Sequence, residues 1–138
     1  MNTHRLKSQL IQHEGIRLKP YRCSSGKLTI GIGRNLNDKG ISESEAHFLL
    51  ESDILESLMD VANLLPEFFN CPEDIQHVLI DMRFNLGSQG FRSFKKMLAA
   101  VKARDWAIMA EEMKNSVWYG QVGNRGINLV EMVENQYD

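Results

Sequence analysis

The chain has 138 residues, 43% hydrophobic and 25% charged, with a formal net charge of −2. That length suits one domain with a real core, and so even a charge balance makes no general case for nucleic-acid or membrane binding. Two cysteines, Cys23 and Cys71, stand 48 positions apart without CxxC spacing, so nothing reads as a disulfide framework or a zinc site.

The charge is unevenly spread. Residues 1–40 hold eight Lys/Arg against two acids, and residues 41–74 hold nine acids and no Lys/Arg. Two solvated faces would explain this; so would a basic first lobe that attracts an anionic polymer. The start, "MNTHRLKSQLIQHEG", lacks the apolar core of a signal peptide, and no run approaches the roughly 18 apolar residues of a membrane helix. The expectation is synthesis in the cytoplasm, no membrane insertion, and separate release if the protein works outside.

In chain order, Leu6, Leu10 and Ile11 have helical spacing and predict an amphipathic helix from about Thr3 to His13, with Thr3 as N-cap and Gly15 as its end. Glu14 then falls at a helix C-terminus, where the helix dipole disfavours negative charge. The stretch "YRCSSGKLTIGIG" sets a Ser-Ser-Gly turn between short β-prone pieces. Leu28, Ile30 and Ile32 alternate with Thr29, Gly31 and Gly33. This places the apolar set toward the core and Thr29 on the opposite face, which the glycines leave open to close approach.

Ser42 and Glu45 form a capping box that opens the longest helix, from Ser42 to about Leu65, stopped by Pro66. Another helix follows, with Asn70 as cap, Pro72 near its first turn and Gly87 as its end. "FKKMLAAVKA", "DWAIMAEEMKNS" and "NRGINLVEMVENQY" read as three more. No repeat, linker or low-complexity segment is present. The fold class is α+β, mainly helical: a small β-lobe near the start and a helical lobe behind it, joined by the long helix.

Glu14, Cys23 and Thr29 lie on a helix end, a turn and a strand, nine and six positions apart, so a tight fold can bring them together. A carboxylic acid facing a second proton-handling group is what glycosidic bond cleavage needs. Thr29 is no base, but its hydroxyl can orient a water. Each residue also has a plain alternative: a solvated Glu, a small inert core Cys and an ordinary strand Thr. Other signals are weaker. "GIGRNLNDKG" lacks the dinucleotide fingerprint, "SGKLT" lacks the first glycine of a phosphate loop, and the four histidines show no metal-ligand spacing. Trp106 and Trp118 sit among Ile108, Met109 and Met113 as core packing.

The segment "HEGIRLKPY…GKLTIGIGR" resembles the N-terminal signature of the phage-type lysozymes, the endolysin family of glycoside hydrolases. The similarity resumes in "LIDMRFNLG", "GFRSFKKML" and "SVWYGQVGNRGINLV" and covers nearly the whole length, with the β-lobe shortened between Gly33 and Gly40. The resemblance implies a single lysozyme-like domain: a β-lobe at about 14–41, a linking helix at about 42–65, and a helical lobe at about 70–138 that includes the N-terminal helix, with the active-site cleft between the lobes. It implies a muramidase that cuts the β-1,4 bond between N-acetylmuramic acid and N-acetylglucosamine of bacterial peptidoglycan. The enzyme would be made in the host bacterial cytoplasm and act on the cell wall as a monomer, and no metal or organic cofactor is implied.

By the same resemblance Glu14 is the general acid and Thr29 the water-positioning hydroxyl, and Arg125 matches an arginine that pairs with that glutamate. Phe84 matches a cleft aromatic, with Asn85 beside it. Asn35 falls where the family contacts sugar, though the residue type differs. Tyr21 and Trp118 resemble packing residues near the cleft. Two departures stand out. Cys23 replaces the aspartate of the best-known members, and Arg34 replaces their histidine. Since such members pair an acid at the position of Asp53 with that histidine, an Arg34–Asp53 ion pair is expected.

Cys23 has three open roles: a base that activates water, a nucleophile at the anomeric carbon, or a bystander. Two rival functions remain beside hydrolysis: a catalytically silent peptidoglycan-binding module, and a lytic transglycosylase using Glu14 alone.

Overall fold

The computed structural model describes residues 1–137. Two compact units divide the chain, Met1–Leu49 and Leu50 onward.

In the first unit, α1 (Thr3–Glu14) is capped by Asn2 rather than Thr3. The Asn2 side chain accepts the Arg5 N–H at 3.0 Å, which satisfies an orphan donor of the first turn. Gly15 closes the helix, donating its N–H to the Ile11 carbonyl at 2.8 Å. A three-stranded antiparallel sheet follows, ordered β1 (Arg17–Arg22), β2 (Leu28–Gly31), β3 (Arg34–Asn35). The register slips between Arg17 and Tyr21, the stretch that holds Pro20, whose missing N–H cannot join a ladder. Proline is tolerated there because β1 is an edge strand.

The face assignment of β2 is corrected. Thr29 is the buried residue, 3% exposed, whereas Ile32 is 45% exposed and Leu28 and Ile30 are half-buried. Thr29 lies on the central strand, opposite Tyr21 on one side and Asn35 on the other. Position in the middle of a small sheet, not apolarity, decides which residue is covered.

The helix α2 (Glu43–Leu64) begins in the first unit and runs into the second. Its capping box is formed as expected: Glu45 N–H donates to Ser42 Oγ at 3.1 Å, and Ser42 N–H donates to Glu45 Oε1 at 2.9 Å. Glu45 also takes Arg34, whose two terminal nitrogens donate to its two carboxylate oxygens at 2.9 and 2.6 Å. Arg34 therefore ties β3 to the start of α2 through Glu45, not through Asp53. The bidentate fork of arginine fits the nearer carboxylate, which the cap already holds in place. That bond from Arg34, with those from Ser42, holds the Glu45 carboxyl at about 2, well below the usual carboxylate range.

The second unit continues with a short 3₁₀ helix (Phe68–Asn70), α3 (Glu73–Arg92), α4 (Lys95–Lys102), α5 (Trp106–Lys114), α6 (Val117–Val122) and α7 (Asn124–Glu134). Pro72 takes the cap position of α3. Asn70 does not, because it ends the 3₁₀ turn and donates its side-chain amide to Glu67 at 2.6 Å. Gly87 ends the first helical run of α3 as expected, and a second run follows across a kink. Its φ of 76° and ψ of 172° break the helical run, which resumes through Arg92, and such a φ suits glycine because it has no Cβ. Asp60 of α2 spans the kink, accepting Arg83 at 2.7 Å from one side and Arg92 at 2.7 Å from the other.

The core of this unit is built from Val61, Phe68, Ile75, Leu79, Met82, Phe91, Met109, Met113 and Val133, each almost fully buried. Burying each such side chain contributes about 1.5–3 kcal/mol. Trp118 is buried as expected, edge-on to Phe94 with ring centres 6.1 Å apart. No helix among the described residues is long and apolar enough to cross a membrane.

Candidate active site

Glu14 is the last residue of α1 and is exposed. Its carboxylate lies against Gly33, in the turn between β2 and β3. A Cβ at Gly33 would stand 2.6 Å from Glu14 Oε2, and the Gly33 φ is 67°. Only glycine allows both this backbone and this approach. Glu14 is thereby set beside the β2–β3 turn.

Cys23 opens the turn between β1 and β2. Its C=O accepts the Gly26 N–H at 2.8 Å, and its own N–H donates to the Lys27 carbonyl at 3.0 Å. Its Sγ lies 3.1 Å from Ser25 Oγ. Thr29 Oγ1 donates to the same Lys27 carbonyl at 2.9 Å. One carbonyl oxygen thus receives donors from both Cys23 and Thr29 and couples their positions. The Cys23 thiol is lowered to about 7, first by the Ser25 hydroxyl, then by the backbone N–H groups of Ser25 and Lys27, then by the Thr29 hydroxyl. A sulfur surrounded by donors favours the thiolate. Cys71 differs: it is buried, and burial pushes its thiol up.

Around this pair, Tyr21 faces Thr29 across the sheet and carries the Arg17 guanidinium 4.4 Å above its ring. On the other side Asn35 faces Thr29. Asn35 donates to Asp38 Oδ2 at 3.0 Å and accepts the Asp38 N–H at 2.9 Å, and Asp38 pairs with Lys27 at 3.3 Å. Of the residues singled out from sequence, the first unit therefore assembles Tyr21, Thr29 and Asn35 on one sheet, with Cys23 in the turn between its first two strands and Glu14 at the next turn.

Asp53, Phe84, Asn85, Trp118 and Arg125 belong to the second unit. Phe84 and Arg125 line one open, mostly apolar groove together with Ile54, Phe68 and Phe69. Asn85 accepts the Trp118 indole N–H at 2.9 Å, so it fixes a buried ring. Arg125, expected to pair with Glu14, is bonded to Asp81 at 2.7 Å. Sequence reasoning passed over Ser25, Asn37 and Asp81, and read Glu45 only as part of a cap. Ser25 had a visible signal, a hydroxyl two residues after the candidate thiol. Asn37, whose side chain accepts the Leu28 N–H, had only its place in a turn.

A helix-end carboxylate, a turn thiol and a strand hydroxyl on a mainly helical α+β chain are compatible with a glycoside hydrolase of the lysozyme type. The chain belongs to the phage lysozyme family, whose profile matches residues 11–131. It is 28% identical over 158 residues to "Probable T4-type lysozyme 2" of Dictyostelium discoideum, with 94% of this chain and 93% of that protein covered. "Probable T4-type lysozyme 1" of the same organism is similar to the same extent, again 28% over 158 residues. The pre-baseplate central spike protein Gp5 of Enterobacteria phage T4 is 26% identical over 152 residues, which cover 90% of this chain and 26% of that protein. The protein is a peptidoglycan hydrolase of the lysozyme kind.

Proposed function

We propose that this lysozyme cuts the β-1,4 bond between N-acetylmuramic acid and N-acetylglucosamine with Glu14 as general acid, Cys23 as general base and Thr29 as the holder of the attacking water. The reading rests on one observation: the Lys27 carbonyl accepts both the Cys23 N–H and the Thr29 hydroxyl, which ties the two residues to one point of the turn. A base poised near neutral pH beside a water-orienting hydroxyl is the pairing that water activation requires.

In the step, Cys23 Sγ takes a proton from water as the water oxygen bonds to the anomeric carbon. The electrons of the breaking C–O bond pass to the leaving oxygen, which takes the Glu14 proton. Attack by water from the face opposite the leaving group inverts the anomeric centre. In the second unit, Phe84 and Arg125 line an open, mostly apolar groove of a kind that suits sugar rings.

Replacing Cys23 tests the assignment. Cys23→Ala should lose about 10²–10⁴-fold in wall lysis, the usual contribution of a general base. Cys23→Asp should retain lysis, because a carboxylate can take the same proton. Full lysis by Cys23→Ala would reduce the thiol to a bystander.

A further inference from the structure

We infer that Ser25 is a positioning residue of this enzyme, its hydroxyl donating to the Cys23 sulfur and keeping it aimed and ready to accept a proton beside Thr29. The inference rests on the reading of Cys23 as base and adds the group that sets it.

The contact is 3.1 Å between Sγ and Oγ, and either atom could donate in the thiol form. Once Cys23 is a thiolate it has no proton, so the hydroxyl must donate. A hydrogen bond donated to the charged sulfur is stronger than one to the neutral thiol and so favours the charged state. The turn explains why Ser25 can reach. The Gly26 N–H closes on the Cys23 carbonyl at 2.8 Å, and the Cys23 N–H closes on the Lys27 carbonyl at 3.0 Å. Ser25 therefore lies inside a doubly tied loop whose first residue is the thiol. Gly26, at φ 80°, lets the chain turn back.

The nearby charges are engaged elsewhere. Arg22 donates to the Gly26 carbonyl at 3.0 Å. Lys27 pairs with Asp38 at 3.3 Å, Arg17 stacks on Tyr21, and Glu14 lies against Gly33. The contact that holds the sulfur is the neutral Ser25 hydroxyl, 3.1 Å away. Neutral hydrogen bonds are little screened by salt, whereas a thiol set by arginines and lysines would titrate higher as salt rises.

The test uses the full-length chain with Ser25→Ala and Ser25→Thr, each confirmed as folded by circular dichroism. Iodoacetamide alkylation of the Cys23 peptide, read by mass spectrometry across pH, gives the thiol midpoint without interference from Cys71. In Ser25→Ala the midpoint should rise from about 7 by about one pH unit, so the thiolate fraction at pH 7 falls roughly five-fold. Ser25→Thr should restore it, and the wild-type midpoint should not move between low and high salt.

The rising limb of the kcat–pH profile on purified walls should shift with the midpoint while KM stays constant. In a Cys23→Asp background Ser25→Ala should leave that limb in place. An unmoved midpoint in folded Ser25→Ala, or a wild-type midpoint that climbs with salt, overturns the role of Ser25. A midpoint that shifts while the kcat limb stays put overturns Cys23 as the base, and any part of Ser25 in catalysis with it.

Discussion

At the level of single residues the proposed chemistry turns on Gly33 and Cys23, one by lacking a side chain and the other by having sulfur in it. Alanine at Gly33 would put a Cβ 2.6 Å from the Glu14 carboxylate, at a φ of 67°. The backbone alone costs about 1–2 kcal/mol, and the mobile Glu14 side chain must move away. Lysis by Gly33→Ala should fall by up to about 100-fold, since a displacement near 1 Å in a reacting group has that scale, while circular dichroism still shows a folded chain. Unchanged lysis would mean that the Glu14 position is not set by Gly33. For Cys23, activity should rise with pH through about 7 as the thiol ionises, and the rising limb should move to lower pH in Cys23→Asp, because a carboxylate ionises there. Glu14, Cys23 and Thr29 were legible in the sequence as residue types at plausible spacing. That Thr29 is the buried member of β2 was not, because alternation separates two faces without saying which is covered. The Ser25 hydroxyl was read only as part of a turn, since nothing in a turn sequence says where a side chain folds back.

Helix ends and ion pairs decide how the elements are held. The α2 boundaries followed from Ser42, Glu45 and Pro66, because capping and chain-breaking are local. The N-cap of α1 was missed because Asn2 precedes the periodic residues, whereas the stop at Gly87 was legible and only the helical run that resumes after it was not. The six-residue α6 is too short for periodicity to reveal, although its Ser116 cap accepts the Tyr119 N–H at 3.1 Å. The Arg34–Glu45, Arg125–Asp81 and Asp60 pairs join separate elements, and sequence spacing does not report such partners.

Asp60 gives the sharpest test at this scale. Burial pushes its carboxyl up, but hydrogen bonds from Arg83, Ser88 and Arg92 outweigh that and hold it at about 2, below its ordinary 3.8. A lowered carboxyl stabilises the fold fully above its ordinary value, and that contribution is lost as pH falls through about 4 toward 2. Asp60→Asn should therefore cost about 1–3 kcal/mol near neutral pH, and its urea midpoint should drop less than the wild-type midpoint between pH 6 and pH 3. Parallel midpoints for the two proteins would show that Asp60 does not stabilise α2 against the kink of α3.

Across the whole molecule, the family match spans residues 11–131, so the fold and the lysozyme class rest on nearly the full chain rather than on one motif. The same kind of domain forms nearly all of one relative and about a quarter of another. The proposed chemistry puts a thiol where a carboxylate base would be simpler. Digestion of purified peptidoglycan, with products read by mass spectrometry and the first-formed anomer by proton NMR, bears on it most directly. Water activated by Cys23 and protonation by Glu14 predict reducing N-acetylmuramic acid ends released first as the α-anomer; anhydro ends, a β-anomer or no released fragments would contradict the account.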